Sequence, residues 1–316
     1  MIRVNVSFPV WWDRFWFTPC SPFGLAAARI AFALYSLWIV LSRDFPGVAG
    51  VPGEVWATVT PQTRWRYLIF PGHPALEYVL EGVAVAALVA AALGWRPRLS
   101  CLVSGLLLYH FAPYEALLWT DSPYFRGLDI PIIGLVILSV APCADAWAVG
   151  ARRRPHPLAS PEYRWPLVLL QLLVASPYFF AGYGKLYYTG IRWASWENIR
   201  NHLLAFTQDD FFTVYTRLGS WVAAHPLLCG IIGAGTMLFE LSFILSVFFP
   251  RLRRFYLPAA LAFHAGILLS MNIYWLYWPL LAVLPDWDAV RERWTRLRSV
   301  SGAGASAGSA TPLSRT

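Results

Sequence analysis

Stretches near residues 23–42, 75–93, 99–119, 129–148, 165–185, 227–249 and 256–272 are almost continuously apolar. About 20 such residues suffice to cross the hydrocarbon core of a bilayer. Inside that core every backbone polar group must be satisfied within its own segment, which leaves helices as the building unit for runs of this length. The sequence therefore predicts an all-α fold, a polytopic transmembrane helix bundle. It has seven spans, or eight if the short apolar piece 273–284 is a helix of its own. Composition agrees, since 58% of the residues are hydrophobic and only 13% charged. A soluble domain carries about 25% charged residues and could not be dressed for water with so few.

The formal net charge of +8 does not point to nucleic acid. Arginines sit in short clusters between apolar runs: Arg96 and Arg98, then Arg152, Arg153, Arg154 and Arg164, then Arg251, Arg253 and Arg254. With alternating spans all three clusters share the side of the N-terminus, while the opposite loop 120–128 has only Arg126. By the positive-inside rule the N-terminus is expected in the cytoplasm of a multi-pass cell-membrane protein. Residues 1–22 form an N-terminal segment in which "WWDRFWF" (11–17) reads as an interfacial helix and breaks any early apolar core of a cleavable signal. Residues 286–316 form a basic and then disordered tail, small and polar after Arg298. Cys20, Cys101, Cys143 and Cys229 are separated in sequence and read as small packed hydrophobes; no motif predicts a metal site.

Two outer connections, 43–74 and 186–226, are long and aromatic and could roof a cavity. In the second, Trp193, Trp196, Ile199 and Leu203 recur at helical spacing, so an amphipathic helix is expected across the outer face.

Charge within a span costs roughly 2.5–3.5 kcal/mol on insertion scales and asks for a partner or a purpose. Arg29, Glu77, Glu81, His110, Gln171, Lys185, Glu240 and His264 are such groups. His110, Glu240 and His264 fall near mid-span, and Gln171, Tyr178 and Lys185 recur every seventh residue, which keeps them on one face. Pro177 removes a backbone donor between them, and Gly182 and Gly184 thin the helix before the lysine. Arg29 either serves the same pocket or snorkels to the interface.

Lys185 is the one lysine among 25 basic residues. Arginine stays protonated in proteins, whereas a desolvated lysine can become a neutral amine and hence a base. The residue choice at 185 therefore points to proton chemistry.

"PYFFAGYGKLYYTGIRW" (177–193) resembles the signature of the horizontally transferred transmembrane (HTTM) domain, shared with vitamin K-dependent gamma-carboxylases. "AARIAFALYSLWI", "RGLDIPIIGLVIL" and "FELSFILSVFFPRLRRFYLPAALAFHAGILLSMNI" (239–273) are similar to further parts of that domain, so residues 23–285 are read as one HTTM-like unit. The resemblance implies a reduced quinone of the vitamin K or menaquinone type as cofactor. It implies Lys185 as the base and His264 as a residue that stabilises a substrate oxygen. His110, Tyr178, Glu240, Gln171 and Arg29 are then expected around the substrate. The partners expected are the lipid bilayer, a lipidic quinol and a peptide or protein client. The activity would be that of a quinol-dependent carboxylase or epoxidase, or of a peptide-modifying enzyme. An ion-coupled transporter, a haem protein using His110 and His264, and a membrane scaffold without chemistry are the competing classes.

Overall fold

A computed structural model describes residues 10–52, 54, 73–118, 127–149, 159–206, 216–273 and 277–296. Among these the regular structure is helical, with one isolated bridge between Cys20 and Ser160. The helices are α1 (Val10–Phe17), α2 (Phe23–Leu41), α3 (Phe45–Ala49), α4 (Pro74–Leu93), α5 (Pro97–Leu118) and α6 (Asp129–Val140). They continue with α7 (Arg164–Thr189), α8 (Trp196–Phe206), α9 (Leu218–Ala223), α10 (Pro226–Ser242), α11 (Leu245–Phe248) and α12 (Arg253–Met271).

Among the described residues four helical stretches, Phe23–Leu41, Pro74–Leu93, Pro161–Ala194 and Pro250–Met271, are long and apolar enough to cross a membrane. The runs at 129–148 and 227–249 give shorter helices of 12 and 17 residues. Proline explains the first case. Ala141 precedes Pro142, which disfavours the helical region, and its backbone is extended at ψ 153. The eighth span is not a helix of that kind. Among the described residues of 273–284, Trp278–Val283 form a six-residue 3-10 turn, with Pro279 near its start and Pro285 just beyond its end. Leu280, Leu281, Val283 and Leu284 are buried there, and the turn packs on α2.

α2 is the central strut, flanked by α4, α6, α7 and that turn. Close approach is bought with small residues, as helix packing in membranes requires. A Cβ at Gly134 would lie inside the ring of Phe32, and one at Gly105 would press on Val136 at 3.3 Å. The start of α6 is capped from a distance: Glu115 accepts from the backbone N–H of Gly127 (2.8 Å) and Leu128 (3.1 Å), with Arg43 at 3.3 Å. α4 ends where Gly94 adopts φ 71.

Backbone contacts collect the helix ends on two faces. Val149 donates to Leu93, Cys20 and Ser160 exchange bonds, and Arg253 reaches Ser246 and Leu284. These pairs put the starts of α2, α7 and α12 and the ends of α4, α6 and α10 together, along with Arg251, Arg253 and Arg254. Lys185 lies at the other end. The arginines 152–154, the loop residues 55–72 and the tail beyond 296 lie outside the described residues.

Candidate functional site

α7 carries the site, and its sequence explains how a helix with an internal proline stays usable. Pro177 cannot donate to the carbonyl of Leu173, and the Ser176 hydroxyl takes that place at 2.9 Å. About one and a half turns further on, Gly182 lets α7 touch α10. A Cβ there would stand 2.9 Å from the Cβ of Glu240 and 3.0 Å from the backbone nitrogen of Leu241. This approach brings Lys185 Nζ to both carboxylate oxygens of Glu240, at 2.8 and 2.7 Å. The lysine side chain is 21% exposed and the glutamate 7%, so the pair is reachable but mostly dry. Trp193, in the 3-10 turn after α7, lies under the ammonium at 4.9 Å.

The glycine has a measurable consequence. Gly182→Ala is expected to cost about 1–3 kcal/mol through overpacking against α10. Gly184→Ala, where an added Cβ meets nothing within 4 Å, is expected to be neutral or stabilising. Thermal unfolding of the two variants in detergent separates them, and equal melting curves would mean that the α7–α10 contact is looser than described.

Deeper along α7, by about 10 Å at the helical rise, is Tyr178. Its hydroxyl is 2.5 Å from His264 Nε2 on α12. The phenol ring stacks on Phe243 (4.2 Å between centroids) and meets Phe239 edge-on (5.9 Å), while Phe263 flanks His264 at 5.5 Å. Tyr178, His264, Glu240 and Lys185 thus form two polar pairs on three packed helices, walled by aromatic rings.

The other expected residues go elsewhere. His110 Nε2 faces both oxygens of Glu77 at 3.0 and 2.9 Å, and Tyr114 donates to the same carboxylate at 2.8 Å. This buried triad belongs to α4 and α5, which pack on α2, α3 and α6 rather than on α10 or α12. Of its members Tyr114 could have been found from spacing, since it follows His110 by one helical turn, whereas Glu77, named as a charge within a span, meets them only through the packing of α4 on α5.

Gln171 donates to the carbonyl of Val283 (2.9 Å) and accepts from Arg253 Nη2 (2.8 Å). Both ends of its amide are engaged in holding the Trp278–Val283 turn, so it stands apart from the stripe to which the seven-residue spacing assigned it. Arg29 does not snorkel. It is fully buried, and its guanidinium donates to the carbonyls of Cys143, Ala146 (3.4 Å) and Trp147 (2.5 Å), closing the chain reversal after α6. Only coordinates could show this, because the acceptors are backbone atoms more than 100 residues away.

The outer amphipathic helix is α8. Ile199 and Leu203 are buried against α9 and α10, Trp196 is half exposed, and Trp193 belongs to the preceding 3-10 turn. His202 on α8 lies near Trp193, with ring centroids 6.2 Å apart. Burial and the charge of Lys185 hold its imidazole below the ordinary histidine range, so it is neutral near pH 7. Sequence reading passed over His202 because the loop 186–226 offered no partner for it.

The cysteines are free, and burial pushes the half-buried Cys20 thiol up to about 11. Among the described residues no three His, Cys, Asp or Glu gather to hold a metal ion. Searches of curated proteins and of solved structures return no match. A family model described as the HTTM domain matches residues 17–285, the span that contains every helix from α2 to α12. This chain belongs to the HTTM-domain family of membrane proteins.

Proposed function

We propose that the chain is a multi-pass membrane enzyme of the gamma-carboxylase-like class, with Lys185 acting as a base toward a reduced quinone. One observation carries this reading: an amine held by Glu240 at 2.7–2.8 Å, largely sheltered yet 21% exposed, with the Trp193 ring at 4.9 Å. An ammonium has three donors, and Glu240 takes two of them. The third direction remains for a ligand. Passing its proton to Glu240 makes Lys185 a neutral amine able to accept one from a phenolic hydroxyl, a role arginine cannot fill.

The residues present suit a quinol. Flat apolar walls come from Phe239, Phe243 and Phe263, and the Tyr178–His264 pair offers a polar anchor beneath them. Exposed rings of Tyr183 and Tyr187 continue outward along α7 and give an apolar approach from lipid. When bound, the quinol supplies the reducing chemistry with oxygen on which carboxylation and epoxidation depend. Glu240 orients Nζ and stores its proton, Tyr178 and His264 fix the depth of the ring, and the aromatic walls keep water from the base. The arginine-rich face, with the N-terminus, is assigned to the cytoplasm and Lys185 to the outer side. A transport path is disfavoured by the local closure of each polar group on its own partner.

The test is the lipid extracted with the purified full chain. Wild type is expected to carry a quinone, Lys185→Ala to carry none, and Lys185→Arg to retain it without turnover. A wild-type extract free of quinone, or equal amounts from Lys185→Ala, ends the proposal.

A further inference from the structure

We infer that the face opposite Lys185 holds a binding site for the phosphate of an anionic phospholipid headgroup. A cavity of about 640 Å³ opens there between the first turns of α7 and α12 and residues 285–293. That size lies within the range of sites that bury small ligands. Its floor includes Gly24, Leu167 and Leu257, and five arginines line it against the two aspartates Asp286 and Asp288.

These charges do different things. Arg253 is spent on structure, donating to Ser246 (2.9 Å), Leu284 (3.3 Å) and Gln171 (2.8 Å). Arg164 donates to the carbonyl of Phe15 at 3.1 Å, which pins α1 beside the cavity. Asp286 turns its carboxylate to the backbone N–H groups of Asp288 (3.1 Å) and Ala289 (3.2 Å), starting the helix at 287–296. Arg251, Arg254 and Arg293 remain exposed on the lining, and none has a carboxylate within ion-pair distance among the described residues.

Depth selects a lipid over a free anion. α7 and α12, two of the helices long enough to cross a membrane, both begin at this cavity. Next to it α1 presents Trp11 and Phe17 outward, and Phe15 stacks on Phe248 at 5.2 Å. Exposed aromatic rings at the end of apolar helices mark the headgroup level. A ligand there meets guanidinium groups at one end and an apolar floor at the other, which matches an acylated phosphate. The inference stands on the membrane character of the chain and is independent of the chemistry at Lys185.

The probes are phosphatidylglycerol and phosphatidylcholine added to the delipidated full chain in detergent, with binding read by native mass spectrometry. Phosphatidylglycerol is expected to bind about tenfold more tightly or better. The combined variant Arg251→Gln, Arg254→Gln, Arg293→Gln is expected to lose about tenfold or more of that affinity, given the usual contribution of each basic residue near anionic lipid. The matching set of Arg→Lys changes keeps the charge and is expected to keep binding, which guards against a folding artefact. Arg192→Gln at the opposite end is expected to change nothing. Equal binding of the two lipids, or an unchanged glutamine variant, overturns the site. Displacement of phosphatidylglycerol by millimolar inorganic phosphate overturns the lipid assignment in favour of a free-phosphate site.

Discussion

Lys185→Met is expected to destabilise the protein by about 3 kcal/mol, while Glu240→Leu costs only about 1 kcal/mol. The asymmetry comes from exposure. Removing the lysine leaves the 7% exposed carboxylate of Glu240 in an apolar wall with its counter-charge gone. Removing the glutamate leaves an ammonium that is 21% exposed, on a flexible stem at the end of α7, and this can turn toward water. The double variant is expected to return to within about 1 kcal/mol of wild type, because a buried ion pair replaced by apolar residues is often neutral. Unfolding in detergent measures all three.

The same cycle separates structure from chemistry. If Lys185 only neutralised Glu240, the double variant would recover quinone retention together with stability. If it is the base, stability returns and retention with turnover does not. Equal single-variant losses that simply add in the double would show that the two groups do not interact as described.

Arg29→Ala is expected to be the most damaging substitution in the chain, above about 4 kcal/mol, a loss reserved for a few mechanisms of which this is one. It would strand the carbonyls of Cys143, Ala146 and Trp147 and leave a hole against Gly94, whose own Cβ position is 3.1 Å from the guanidinium carbon. Arg29→Lys recovers part of the loss, since a compact ammonium cannot span acceptors that the guanidinium fork reaches at once. The yield of monodisperse protein and its melting temperature check the prediction. In whatever fraction stays folded, quinone retention is expected at the wild-type level, because Arg29 is a clamp at the far end from Lys185. A selective loss of quinone in a stably folded Arg29→Ala protein would reverse that assignment.

The bundle itself was legible from hydropathy, because membrane solvation acts on each segment separately. Phe23–Leu41, Pro74–Leu93 and Arg253–Met271 fall within a few residues of the apolar runs that announced them. The boundaries failed where tertiary context acts. A proline after Ala141 stops α6 early, and Trp278–Val283 lie down as a largely buried turn because α2 and Gln171 offer them a better surface than lipid.

Chemistry-bearing residues were recognisable by type, since a charge in an apolar run is conspicuous whatever surrounds it. Lys185, Glu240, His264, His110, Gln171 and Arg29 were named as charged or polar groups within apolar runs, and Tyr178 by its seven-residue spacing from Gln171 and Lys185. Their partnership was not readable. Spacing along one helix fixes a face, but the pairing of Lys185 with Glu240, Tyr178 with His264, and His110 with Glu77 depends on which helices meet and at what height. A contact between residues 55 positions apart leaves no periodic trace in either segment. Gly182 illustrates the division: its missing side chain was visible as a thinning of the helix, yet only packing revealed that the space is filled by the backbone of Leu241 and the stem of Glu240. Apolar length alone thus determined that this chain makes helices in lipid. Tertiary structure decided which of its scarce polar groups clamp backbone, as Arg29 and Gln171 do, and which pair with another side chain, as Lys185 and Tyr178 do, because each is settled by desolvation and contact at one place in space.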